Sequence, residues 1–180
     1  GTNAALWPSI LSDGLMVSRG TEHDKWLGEG VYFFIERNIG LPPQKLAEMW
    51  AVAEAFVEKG KPKKYIEGMV LKVEAEIERF GVMDLCDQVQ LQNFNLFRSA
   101  FLEKSKSNPE PILDGAVLRA LFRIRNYEVV ISHQYIQFSE ERILRHFSKI
   151  PNCTIMCFIN SDEDYCHFEN LKIERTFAVL

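Results

Sequence analysis

A change of hydrophobic period partway along the chain constrains its fold more than any other feature. From Gln44 to Lys59, the residues Leu46, Met49, Trp50, Ala53, Phe56 and Val57 recur at three- and four-residue spacing. That spacing puts them on one buried face of a helix, with Pro42 and Pro43 before it and Gly60 after it. Soon afterwards the period falls to two. Within Tyr65 to Glu78, Leu71, Val73, Ala75 and Ile77 point one way, and Lys72, Glu74, Glu76 and Glu78 the other. This is the pattern of a strand with one wet face. A chain that does both must pack a helix on a sheet.

The remaining segments extend that picture. Asn3 to Asp13 reads as a short helix with Leu6, Ile10 and Leu11 on one face, Pro8 in its first turn and Gly14 ending it. Ser18 to Lys25 is polar and reads as a loop, and Val31 to Ile35 as a short buried strand. Val82 to Leu85 fits a short strand. Gln88 to Lys104 fits a helix with Phe94, Phe97 and Phe101 together, and Asp114 can cap a helix running to about Arg123. Ser105 to Pro111 reads as a turn-rich gap. Strands cluster late, at Tyr127 to Ile131, Thr154 to Ile159 and Leu171 to Val179, with Glu140 to Phe147 open to either state. Early helices and late strands predict an α+β fold with a mostly antiparallel sheet.

A length of 180 residues suits one domain over residues 1–180, large enough to build a core without disulfide staples. The four cysteines, Cys86, Cys153, Cys157 and Cys166, lack the spacing of a disulfide framework. No secretory signal and no apolar run of membrane-spanning length is visible, so the expectation is a cytoplasmic chain with reduced thiols and no membrane contact. Gly1 in place of an initiating Met reads as a fragment or a processed chain. A net charge of −4 gives no global attraction to polyanions, although a local basic patch could still meet nucleic acid.

The chemistry concentrates at the two ends of residues 1–34. Gly1-Thr2 precedes the first helix, and Trp26-Leu27-Gly28-Glu29-Gly30-Val31-Tyr32-Phe33-Phe34 follows the polar loop. Glycines let a backbone approach a ligand, and a tyrosine offers a ring for stacking and a phenol for hydrogen bonding. Taken alone, the same residues also fit a hairpin turn packed on a core.

The segment resembles the ADP-ribosyltransferases of the diphtheria-toxin and poly(ADP-ribose) polymerase type. Those proteins open with His-Gly-Thr or His-Gly-Ser, continue through a helix and a Gly-Leu, and reach Gly-x-Gly-Ile/Val-Tyr-Phe. Here the order is Gly1-Thr2, then Ser9-Ile10-Leu11 with Gly14-Leu15, then Gly28-Glu29-Gly30-Val31-Tyr32-Phe33. Trp26 to Glu36 is also similar to the Trp-Leu-Gly-x-Gly-Val-Tyr-Phe-Phe-Glu of small bacterial toxin or defence proteins. In those proteins an alanine-rich helix with tryptophan follows, as in Gln44 to Lys59. Asp114 to Val117 and Tyr127 to Val130 match further, looser stretches. The likeness is specific over about the first 60 residues.

The resemblance implies an ADP-ribosyltransferase-like fold: a split, mostly antiparallel sheet core with flanking helices. It also implies NAD as co-substrate. The cofactor-binding residues would be Gly1, Thr2, Gly28, Gly30, Tyr32 and Phe33. The backbone of Gly1, helped by Thr2, would hold the nicotinamide carboxamide, and Tyr32 would stack on the nicotinamide ring. The family's histidine would fall just before Gly1. Family chemistry breaks the ribose–nicotinamide bond through an oxocarbenium-like transition state that a carboxylate stabilises. If Thr154 to Ile159 is the family's late catalytic strand, Ile155 stands where the acid belongs. Glu140 is then the first candidate for the acid and Glu128 the second, with Gln137 and Glu141 nearby. Glu140 and Glu141 also read as the solvated face of a helix capped by Ser139.

Other constellations read as structural. Cys153, Cys157, Cys166 and His167 lack paired Cys-x-x-Cys knuckles, so no metal is expected. His133 and His146 have no recognisable nucleophile partner. The basic groups Lys59, Lys61, Lys63 and Lys64, then Arg119, Arg123 and Arg125, then Arg142, Arg145 and Lys149 read as solvated faces, or as contacts for a pyrophosphate or nucleic acid.

The resemblance thus implies a mono-ADP-ribosyltransferase that cleaves NAD and modifies a macromolecular acceptor, protein or nucleic acid. It would act as a toxin or defence effector with an antitoxin partner. A degenerate nucleotide- or protein-binding module is the alternative, and NAD hydrolysis in the same site is a third.

Overall fold

The computed structural model describes residues 1–19, 27–56, 62–77, 81–105, 111–159 and 164–179. Trp26, Lys59, Lys61 and parts of the expected loops at Ser18 to Lys25 and Ser105 to Pro111 lie outside them. In chain order the strands are β1 (Thr2–Asn3), β2 (Leu15–Met16), β3 (Gly30–Phe34), β4 (Glu67–Lys72), β5 (Val82–Asp84), β6 (Val129–Gln134), β7 (Cys153–Ile159), β8 (Tyr165–Cys166) and β9 (Lys172–Ala178). The helices are α1 (Trp7–Asp13), α2 (Pro43–Ala55), α3 (Gln88–Lys104), α4 (Asp114–Phe122) and α5 (Ser139–Leu144).

The strands divide into a three-stranded sheet, β1-β4-β9, a four-stranded sheet, β3-β7-β6-β5, and a small ribbon, β2-β8. Every pair is antiparallel except β5 with β6. The chain is therefore α+β with a divided sheet. β1 is an edge of one large sheet and β3 an edge of the other.

Helix packing explains the division. α2 buries Leu46 and Ala53 of the expected face but otherwise Ala47, Ala51 and Ala55 of the neighbouring one, with Phe56 exposed, and it packs against β1, β3 and β4, so it spans the two sheets. α4 buries Val117, Leu118 and Leu121 at helical spacing, and α3 buries Phe94. Together with Leu46 of α2, these residues cover Val130, Ile155 and Cys157 of the four-stranded sheet and make one core.

Several boundaries differ from the sequence reading. α2 stops at Ala55 because Phe56 is already extended. β4 stops at Lys72, although the alternation runs on, because Lys72 pairs with Lys172, where the partner strand begins. A strand persists only as far as its ladder has a partner. Asp114 is the first residue of α4, and Leu113 occupies the cap; the Asp114 carboxylate instead takes an ion pair from Arg98 at 3.3 Å. Ser139 likewise begins α5, with Phe138 as its cap.

Candidate functional site

The facing edges of β1 and β3 border a cavity of about 1170 Å³. Gly1 and Thr2 line one side, and Tyr32, Phe33 and Phe34 the other. α1 contributes Leu6, Ser9, Ile10 and Asp13; α2 contributes Ala47 and Trp50; Ile136 and Ile155 complete the apolar wall.

β3 presents its backbone to this space in a defined way. Gly30 exchanges both backbone hydrogen bonds with Ser18, at 3.0 and 3.2 Å, on the side away from β7. With a period of two, the N–H and C=O of Tyr32 and Phe34 point to that same side. The alternate residues, Val31 and Phe33, turn theirs toward β7, as Ile35 does in donating to Thr154 at 3.1 Å.

The glycines do different work from each other. Gly1 sits so close to α2 that a Cβ would lie 1.8 Å from the Ala47 carbonyl oxygen. Gly28 holds φ at +96°, a region other residues rarely adopt. Gly28 and Gly30 do not line the cavity; they shape the turn that delivers β3. Glu29 between them pairs with Arg119 of α4 at 3.4 Å, pinning the turn to the helical layer.

Tyr32 brings its ring to the cavity while its hydroxyl donates to the Gly28 carbonyl. Burial pushes the Cys157 thiol up to about 12, opposed by its contact with the Tyr32 hydroxyl. The phenol is therefore tied back into the protein. Phe33 lines the cavity from the other face of β3 and packs edge-on against Phe158 and Phe168, at 5.7 and 5.4 Å between centroids.

The expected acids fall elsewhere. Glu140 is exposed in the first turn of α5, and Glu128 is exposed beside Gly81 just before β6; neither lines the cavity. β7 does pair with β3, with Ile155 opposite Phe34 and 2 % exposed. The carboxylates that line the cavity are Asp13, Glu36, Glu74 and Glu174. Asp13 accepts from Ser12 at 2.7 Å, and Glu74 pairs with Lys72 at 2.8 Å. The Lys72 ammonium, first by hydrogen bonding, holds the Glu74 carboxyl below its ordinary range.

Sequence reasoning singled out none of these four lining carboxylates as the acid, Glu36 and Glu174 among them. Glu36 was legible as the polar residue two positions past the aromatic strand. Glu174 was not, because it depends on a bulge: Val70 pairs with Arg175 and Leu71 with Ile173, leaving Glu174 unmatched. Bulges re-aim side chains in this way.

The other singled-out residues settle into structural places. His133 Nδ1 shares a 2.9 Å hydrogen bond with the buried Thr154 hydroxyl, and His146 packs against the Tyr135 ring. Among the described residues no group of three or more His, Cys, Asp or Glu is placed to hold a metal. No helix among them is long and apolar enough to cross a membrane.

No family model, no curated protein and no solved structure matches this chain.

Proposed function

We propose that this chain binds NAD in the cleft between β1 and β3 and uses it as an ADP-ribose donor to a macromolecular acceptor. The observation that supports the reading is the meeting of Gly1-Thr2 and Tyr32-Phe33, far apart in sequence, on one cavity between two sheet edges. The cavity is large enough for a dinucleotide, since ordinary ligand sites run from about 300 to 1000 Å³.

Charge sharpens the assignment. The lining carries four carboxylates, and Lys72 is its one cation among the described residues. The nicotinamide end of NAD is cationic and suits such walls; the diphosphate end is left to Lys72 and to backbone N–H groups. The residues that would act are then Tyr32, as a stacking surface, and Glu36 or Glu174, as the carboxylate that stabilises positive charge on the ribose. The exposed Glu140 and Glu128 do not line the cavity and are not assigned this role.

A second reading rests on Ile155. The strand beside Tyr32 carries no acid from Cys153 to Ile159, which favours a module that binds NAD without cleaving it.

Nicotinamide release, followed by chromatography with and without acceptor lysate, separates these readings. Transfer predicts lysate-dependent release that Tyr32→Ala removes and that Glu36→Gln or Glu174→Gln lowers on the order of 100-fold, with Glu140→Gln unchanged. NAD binding with no release from the wild type selects the binding module. Release without lysate selects hydrolysis.

A further inference from the structure

Trp50 and Ile136 line both the cleft and a second, smaller cavity of about 330 Å³, so they stand between the two spaces. Ile136 is fixed in place. It is 2 % exposed, and the Asn152 side chain accepts from its N–H and donates to its carbonyl, both at 2.9 Å. Trp50 is half-buried and packs at the margin of the core. Two of its neighbours one turn away on α2, Ala47 and Ala53, are alanines and give an indole little lateral support.

Arg142 of α5 supplies support from outside the helix. Its guanidinium lies over the Trp50 ring, 5.1 Å from the centroid. The same group donates from Nη1 to the Ala53 carbonyl at 3.2 Å, from Nη2 to Glu54 at 2.8 Å and from Nε to the Gln137 carbonyl at 3.0 Å. Trp50, Ala53 and Glu54 follow at three- and four-residue spacing, so they adjoin on the helix surface and one planar fork reaches all three. The Ala53 carbonyl belongs to the last turn of α2, where the helix itself supplies no donor. Gln137 directly follows Ile136. One side chain therefore ties α2 at Trp50 to the segment that carries the other shared wall residue.

We propose that Arg142 is a positioning residue of the cleft: it holds the Trp50 indole as a fixed wall and so raises the affinity for NAD. The ligand in this inference rests on the NAD reading above; the placement of Trp50 does not. A wall residue fixed before the ligand arrives loses less side-chain freedom on binding than a mobile one. Arginine suits the task because its planar cation stacks on an aromatic face while donating in several directions at once, which lysine does not reproduce.

The test reads Trp50 and NAD separately. In a Trp7→Phe, Trp26→Phe background, Trp50 is the one tryptophan left in the chain. There Arg142→Met shifts the emission to longer wavelength and raises acrylamide quenching, because the ring meets more water. Arg142→Lys moves both readouts the same way by less. In the otherwise unchanged protein, calorimetric titration shows NAD binding weakened about tenfold by Arg142→Met and less by Arg142→Lys. Leu96→Ser, at an exposed position of α3, leaves NAD binding unchanged. Circular dichroism confirms that each variant is folded, and Arg142→Lys decides the matter if Arg142→Met is not. A lowered melting temperature with Trp50 emission, quenching and NAD affinity all as in the wild type marks a merely structural arginine and overturns the proposal. So does an altered Trp50 signal with undiminished NAD affinity. Failure of the wild type to bind NAD overturns the NAD reading instead, and the Trp50 spectra then still decide whether Arg142 places the ring.

Discussion

β7 and β9 are each seven residues long and lie on opposite sides of the cleft, yet they share little else. β7 runs between β3 and β6 under the helices and buries Cys153, Thr154, Ile155 and Cys157. Among the described residues β9 has only β4 beside it, and it exposes Lys172, Glu174, Arg175, Thr176 and Ala178. One wall of the cleft is therefore the core of the protein, and the other is a thin sheet held mainly by α2. Stability resides on the β7 side, and a charged lining is affordable on the β9 side, where carboxylates remain in water.

Substitution at Gly30 breaks the first wall most severely. A Cβ there would lie 2.2 Å from the Phe158 carbonyl oxygen and 2.5 Å from the Cys157 sulfur. Gly30→Val is expected to cost more than about 4 kcal/mol, or to prevent folding, as read by denaturant unfolding. Leu118→Ala comes next. Leu118 is fully buried in α4 against the same sheet, so about 3 kcal/mol should be lost, lowering Tm by roughly 6–12 °C.

The two walls should also differ in alkali. Burial raises the Cys153 and Cys157 thiols from 9.0 to about 12. Both are held neutral in the folded state while the unfolded chain ionises them above pH 9, so stability is full below that pH and declines as pH rises toward 12. Urea midpoints measured across this window should fall, and the Cys153→Ala, Cys157→Ala pair should flatten the decline. Cys86, raised to about 11 by burial and by Asp84, leaves a smaller slope behind. The mildest change is on β9, where Thr176→Ala should move stability by less than about 0.5 kcal/mol. A Thr176→Ala loss as large as that of Leu118→Ala would erase the contrast between the walls.

The sequence carried the elements well where periodicity was long. α3 matches its expected limits, and Leu46 and Ala53 of α2 fall on the face their spacing assigns. It carried the strand limits poorly, because a strand ends where its partner ends. Nothing local tells Val73 that β9 starts only at Lys172. The site was half legible. Gly1, Thr2, Tyr32 and Phe33 were marked by residue type and order, and they do line one cavity. The carboxylates were not, because Glu140 was judged by its place before a strand, whereas lining the cleft depends on which sheet edges face each other. Glu174 reaches the cavity through a bulge that no one-dimensional pattern encodes.

The central claim, that NAD occupies the cleft between β1 and β3, is tested most directly by calorimetric titration of NAD into three proteins. The wild type should bind. Tyr32→Ala should bind at least about tenfold more weakly, the loss expected for an aromatic stacking surface. The Leu96→Ser variant, altered only at an exposed position of α3 outside the cavity lining, should bind as the wild type does. Absence of binding by the wild type, or Tyr32→Ala binding with undiminished affinity, would contradict the account.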